Sequence, residues 1–490
     1  MNSLYGRLFA TAVPLFCAAG LFAESYYLES TQRELGTGDF VGFNPTADSN
    51  QFTATPEIPE GGITSEDDVT LEWFSDISGA NVDVNTFEFI SSGRWNNGFS
   101  FKNNVVIKAR NIIFKSHWNN KTDTNNGIVY DPNNSDVRDA QILNIYSANL
   151  TLMGNFDNSS AIFYIGQPYS SGVCSLTLAG YDANTSATYN FDYISFNYDS
   201  KESGQNTLTI NDGANVSIRR VYFSSKNIAE SKTSTVNLNG GTFEVRNEIK
   251  VQGNGDSITF NHGGGTLKAS ENDLTIGLNE TTANLAYNLG SGATFSVNSG
   301  KTLTIEDGVT ISAISGQNAD IRVAGGGTMK INASVDAVNG AVSVSENSVL
   351  DLGSSWVSNA QSVSIGAGSS ITTSGNIELS DASKIVLSIS GATEFASLAG
   401  ASVTTSGEGY GSLIFDINAA AFEDGTEFSI SLSELIAASD IDWSKFDISA
   451  GEYSYSIDGS NITFQVPEPS AYAAALGALA LAFAAFRRRR

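Results

Sequence analysis

Thr207–Phe223 reads TLTINDGANVSIRRVYF, and Ser234–Val251 reads STVNLNGGTFEVRNEIKV. In both stretches the apolar residues recur at i and i+2: Leu208 and Ile210, Val236 and Leu238, Phe243 and Val245. A period of two puts them on one face of a strand. Val, Ile and Thr crowd these runs, and their branched side chains suit a pleated surface. Glycine and asparagine separate the runs, at corners where the backbone turns left-handed. Each stretch is therefore a short strand, a turn and a second short strand. A single coil of this kind cannot bury its inward row. Stacking coils completes the core and pairs the backbone along the stack. The expected inward side chains are Leu208, Ile210, Val236, Leu238, Phe243 and Val245.

The same unit recurs loosely in Ser175–Phe191, Ser257–Ser270, Thr294–Ile314, Ile321–Val335 and Ser362–Ser380. The spacing predicts a β-solenoid over residues 176–400, with a stack of β-sandwiches as the alternative. The repeats, TVNLNGGTFEV above all, resemble the β-strand repeats of autotransporter passenger domains. That resemblance implies an all-β body folded as a right-handed parallel β-helix, and a surface or adhesion role.

Residues 24–175 are less regular and rich in aromatic residues and asparagine, with Trp73, Trp95 and Trp118 among them. Short apolar runs such as Val105–Phe114, Ala140–Gly154 and Ala161–Gly166 lie between Asn, Asp, Gly and Ser, which is a strand-and-turn pattern. The aromatic residues are read as core filling, with a carbohydrate-stacking face as the alternative. Residues 401–465 form a further region. Leu432–Ser439 is the best soluble helical candidate. Glu452–Val466 reads as a hairpin, with Tyr453, Tyr455 and Ile457 alternating on one side of Asp458-Gly459 and Ile462, Phe464 and Val466 on the other. Its expected task is to cover the last open coil.

Both ends carry targeting patterns. Residues 1–23 read as a secretory signal peptide, with Arg7 as the single charge, an apolar run Leu8–Phe22, and cleavage after Ala23 or Ala19. Cys17 raises a lipoprotein alternative, against which the large Phe16 counts. Residues 466–490 read VPEPSAYAAALGALALAFAAFRRRR. Pro467-Glu468-Pro469 is stiff and extended. Ala471–Phe486 carries no charge and is rich in Ala and Leu, which predicts a single transmembrane helix of about 24 Å. Arg487, Arg488, Arg489 and Arg490 place its end in the cytoplasm and the body outside. This tail resembles the sorting tail of the PEP-CTERM family of bacterial exported proteins. The resemblance implies passage through the secretion machinery and an inner-membrane-anchored precursor. It also implies cutting near the motif by an exosortase-type membrane peptidase, and release to the outer surface.

Composition excludes several classes. With 52 acidic and 26 basic residues, the net charge of −26 opposes binding to nucleic acid and to bare anionic membrane. Extracellular polysaccharide, bridged by divalent cations, is a compatible partner. Removing Cys17 with the signal leaves Cys174 alone, so no intramolecular disulfide is expected. The two histidines, His117 and His262, are far apart, and no His-x-x-His or Cys-x-x-Cys pair occurs. His262, in NHGGG, reads as a corner residue. Glu66, Asp67 and Asp68 form an acidic run, and Gln252–Phe260 has the wrong aspartate spacing for a calcium-binding solenoid motif. No catalytic group, cofactor or transition metal is expected. The expected function is an exported, noncatalytic surface or matrix protein. The alternative is a carbohydrate-active β-helix enzyme, a polysaccharide lyase or hydrolase.

Overall fold

Leu208 pairs with Leu176 on one side and Val236 on the other, and the row continues through Phe260 to Tyr287. These five are spread over more than a hundred residues of chain, and all are buried. This is the stacking that a period-two pattern requires. In the computed structural model the described residues are 25–30, 39–41, 52–55, 63–74, 76–78, 81–91, 98–119, 122–124, 127–129, 135–166, 173–197, 204–223, 232–251, 256–278, 282–423 and 425–467. The chain is nearly all β, built on long parallel sheets in a β-helix-like arrangement. It divides into two units, Met1–Ala293 with Gly308–Thr310, and Thr294–Asp307 with Ile311–Arg490.

In the first unit a second row lies beside the one above: Leu178, Ile210, Leu238, His262 and Leu289. All six residues expected to point inward are fully buried. The next strands of each coil stack in the same way, Tyr189 with Val216, Val216 with Phe243, and Phe243 with Leu267. The corners between the two strand sets end at Gly213, Gly241 and Gly265, with φ of 76°, 65° and 69°. At Gly241 a Cβ would lie 2.2 Å from the Ala214 carbonyl oxygen, so both the left-handed backbone and the close approach demand glycine. On the outer face asparagines bind from coil to coil. Asn261 Nδ2 donates to Asn237 Oδ1 at 2.8 Å, and Asn288 Nδ2 donates to Asn261 Oδ1 at 2.8 Å. Asn261 thus donates to one neighbour and accepts from the other, which ties three successive coils in register.

Parallel pairing also reaches back before residue 176. Asn81–Ser91 pairs with Gly98–Asn119, and Gly98–Asn119 pairs with Ile142–Ile165. Here the core is aromatic. Phe101, Phe114, Phe156, Phe163 and Phe191 are buried, and successive ring centroids lie 5.0–5.8 Å apart. The core-filling reading holds for these rings. The side chains of Trp73, Trp95 and Trp118 lie outside the described residues. Tyr189 fills the same core, and its hydroxyl lies 2.7 Å from the Leu152 carbonyl and 2.6 Å from that of Ala179. Burial pushes its pKa up to about 12, against hydrogen bonds from the Gly154 and Ala179 backbone.

In the second unit the buried row is Phe295, Val323, Val344, Ile365, Leu387 and Phe415. A facing row runs Leu303, Met329, Leu350, Ile371, Leu398 and Ile436. Parallel pairing continues past residue 400, through Gly411–Ile417 to Phe446–Ser449. The helix expected over Leu432–Ser439 is cut in half. Leu432–Leu435 is helical, but Ile436–Ser439 is a strand parallel to Ser397–Thr405. So short a helix has little stability of its own, and a ladder partner for Ile436 outweighs it. The expected hairpin is present as Ser454–Asp458 and Asn461–Gln465, and Glu427–Ser431 adds a third antiparallel strand. Phe464 packs 5.1 Å from Phe415, which puts the sheet against the end of that buried row.

Candidate functional site

Among the described residues, the outward surface of the first unit gathers tyrosines and paired charges along one bend. Ala187–Phe196 and Ala214–Phe223 change face midway, where two successive residues escape burial, Asp192-Tyr193 and Arg219-Arg220. The register slips at the same place, between Ile218 and Arg220. The bend sets Tyr193, Arg220 and Glu248 in one column and Tyr222 and Lys250 in the next. Tyr164 and Tyr193 meet edge to face at 6.3 Å, with hydroxyls 3.2 Å apart. Tyr193 and Tyr222 meet at 5.4 Å and 75°. The Tyr222 hydroxyl donates to Glu248 Oε1 at 3.1 Å and accepts from Arg220 at 3.0 Å. Burial, and then the Glu248 carboxylate, raise the Tyr222 pKa. Arg219 grips Asp192 with two nitrogens at 2.6 and 2.8 Å.

Chemically, this ladder is closed more than it is open. In each edge-to-face pair the edge of one tyrosine meets the face of the other, so the rings do not lie side by side as one flat platform for a sugar ring. Glu248 is engaged by both Arg220 and Tyr222. Single exposed ion pairs contribute little, about 0–1 kcal/mol each. Their larger effect here is on register. The ladder's signal in the sequence is Tyr193, Tyr222 and Glu248 at successive coils, which only the pairing makes visible.

Among the other residues weighed for chemistry, Asp67, Asp68 and Asp256 have structural tasks. Asp67 is buried and accepts from the Thr64 backbone N–H at 2.8 Å and its hydroxyl at 2.9 Å, closing a turn. Asp68 accepts from Asn85 Nδ2 at 2.9 Å. Asp256, within Gln252–Phe260, accepts from the Lys232 backbone N–H at 3.1 Å. His117 lies on the strand Gly98–Asn119, and its side chain is outside the described residues. Among the described residues no group of three or more His, Cys, Asp or Glu is placed to hold a metal ion.

His262 is not the corner residue that NHGGG suggests. It ends the strand Ser257–His262, fully buried between Leu238 and Leu289. Its Nδ1 lies 3.0 Å from the Tyr287 hydroxyl and its Nε2 3.2 Å from the Gly265 carbonyl. A neutral ring satisfies both, with Nε2–H donating and Nδ1 accepting. Burial lowers its pKa to about 4, although the Gly265 carbonyl favours the charged form. The unfolded chain, with a pKa near 6.5, then binds more protons than the folded one between pH 6.5 and 4. Stability is full above this window and falls as pH drops through it. Between pH 7.5 and 5 the expected loss is about 2 kcal/mol. In denaturant unfolding, His262→Leu is expected to abolish that slope whatever its effect on absolute stability. An unchanged slope refutes the assignment.

Of the tail residues 466–490, only Val466, which is buried directly after the hairpin, and Pro467 are described. Glu468, Pro469, Ala471–Phe486 and Arg487–Arg490 lie outside the described residues, as does the 1–23 segment. Among the described residues no helix is long and apolar enough to cross a membrane. No family model matches the chain, and no curated protein matches it.

Proposed function

We propose that the chain is an exported surface or matrix protein with a noncatalytic right-handed parallel β-helix body, delivered through its C-terminal tail. The right hand is the one that the resemblance to autotransporter repeats implies, and the bias of crossovers between parallel strands favours it. The observation that most supports a scaffold role is how the outer polar side chains are used. Asn261 binds Asn237 and Asn288, Arg219 binds Asp192, and Arg220 and Tyr222 bind Glu248, all across coils. Such a surface stiffens a stack.

Delivery is tested on the tail. Replacing Pro467, Glu468 and Pro469 together by alanine is expected to leave export intact and to accumulate a membrane-bound precursor. Mass spectrometry of surface protein reads the result. Normal release of the variant would sink the motif reading, and Arg487 on the surface form would refute processing. The second reading is a carbohydrate-active enzyme, which would be seated where Glu248 meets Arg220 and Tyr222. Depolymerisation of a polysaccharide by the purified protein, lost in Glu248→Gln, would replace the scaffold reading with that one.

A further inference from the structure

The C-terminal sheet of the second unit has an apolar overhang. Tyr455 and Ile457 pair directly across with Phe464 and Ile462. Directly opposed residues share a face of an antiparallel pair. Phe464 and Ile462 are completely buried, yet Tyr455 is 40% exposed and Ile457 38%. The outer strand thus extends the sheet's buried face into the open. Outer strands are usually blunted with charge or proline, and this one presents a tyrosine and an isoleucine. Tyr455 is tethered by its hydroxyl, which donates to the Ile448 carbonyl at 3.2 Å.

Chain continuity names what covers this overhang. Phe464 stands two residues before Val466, and five steps lead from Val466 to the apolar run at Ala471. Five extended residues reach at most ~17 Å, and Pro467 and Pro469 favour an extended path. With Ala471 at the outer edge of a bilayer, the sheet is held within that distance of the headgroups. Tyrosine is favoured in that layer, where its ring meets the apolar boundary and its hydroxyl stays among polar groups. The exposed neighbours Asp447, Glu452 and Asp458 disfavour an anionic surface, so the matching headgroups are zwitterionic.

We propose that Ser454–Asp458 is an interfacial docking strand, with Tyr455 and Ile457 seated in the headgroup layer of a neutral bilayer. The docking rests on reading Ala471–Phe486 as the membrane segment, and it adds that the second unit is held against the surface.

The test uses the full chain in phosphatidylcholine vesicles, with Cys17 and Cys174 replaced by alanine. An environment-sensitive fluorophore is placed at Ile457→Cys or, separately, at Ala480→Cys. Lipids carrying a nitroxide near the headgroup are expected to quench the first probe, and lipids with a deep nitroxide the second. Quenching at Ala480 without quenching at Ile457 overturns the docking and leaves the membrane segment standing. Quenching at neither overturns both. A probe at Ser460→Cys is expected to lose quenching when Tyr455 and Ile457 are both changed to serine, while Ala480 keeps it. Retained quenching at Ser460 in that variant also overturns the proposal.

Discussion

Gly154→Ala is expected to cost at least about 4 kcal/mol and to leave the first unit unfolded. Gly154 sits at a slip between two long strands. Met153 is opposite Lys108 and Asn155 opposite Asn111, so Gly98–Asn119 carries an extra residue there. A bulge of this kind brings backbone against backbone. A Cβ on Gly154 would lie 1.4 Å from the Ala109 carbonyl oxygen, and φ is +146°. No rotamer relieves a clash with Cβ itself. The Gly154 N–H also donates to the buried Tyr189 hydroxyl at 3.2 Å, so moving the strand breaks that contact too. Gly316→Ala is the control. Its φ is +79° with open space around the would-be Cβ, so the cost is left-handed strain alone, about 1 kcal/mol. Circular dichroism and limited proteolysis of the two variants make the comparison. Equal behaviour would show that the strands do not approach as described.

Phe156→Ala is expected to cost about 4 kcal/mol, within the range for truncating a buried aromatic. Phe156 is 1% exposed, and its ring lies 5.5 Å from Phe114, 5.8 Å from Phe163 and 6.3 Å from Phe191. Its parallel partners on either side are Ile112 and Tyr189. A cavity there is walled by paired backbone in both directions, which limits collapse. Phe156→Leu retains most of the volume and is expected to cost less than half as much. The unfolding midpoint in denaturant, followed on the transition of the first unit, reads both. A loss below about 1 kcal/mol for the alanine variant would place Phe156 outside the packed cluster.

Much of the strand architecture was legible before any coordinates. Alternation in Thr207–Ile210 and Thr235–Leu238 fixed which face is buried, and the glycines at 213 and 241 fixed the corners. Residues 24–175 read as irregular because very short strands alternate with long, bent ones such as Gly98–Asn119 and Ile142–Ile165. A face change at Asn158–Ile162 breaks the period of two partway along Ile142–Ile165. The tyrosine ladder was missed although Tyr164, Tyr193 and Tyr222 recur every 29 residues. That spacing places them side by side only once the coils are stacked.

The sequence by itself determined the all-β class, the inward rows, the glycine corners, the hairpin and the pattern of the two ends. Those are local properties, written in spacing and in the conformational freedom of single residues. Tertiary structure alone decided that His262 enters a column of leucines, that Gly154 faces a carbonyl, and that Ile436 leaves a helix for a ladder. It also decided that Tyr455 and Ile457 overhang while Phe464 and Ile462 are buried. Alternation says which residues share a face. What that face meets depends on which coil lies next to it, and loops of unequal length between coils keep that choice out of the local pattern.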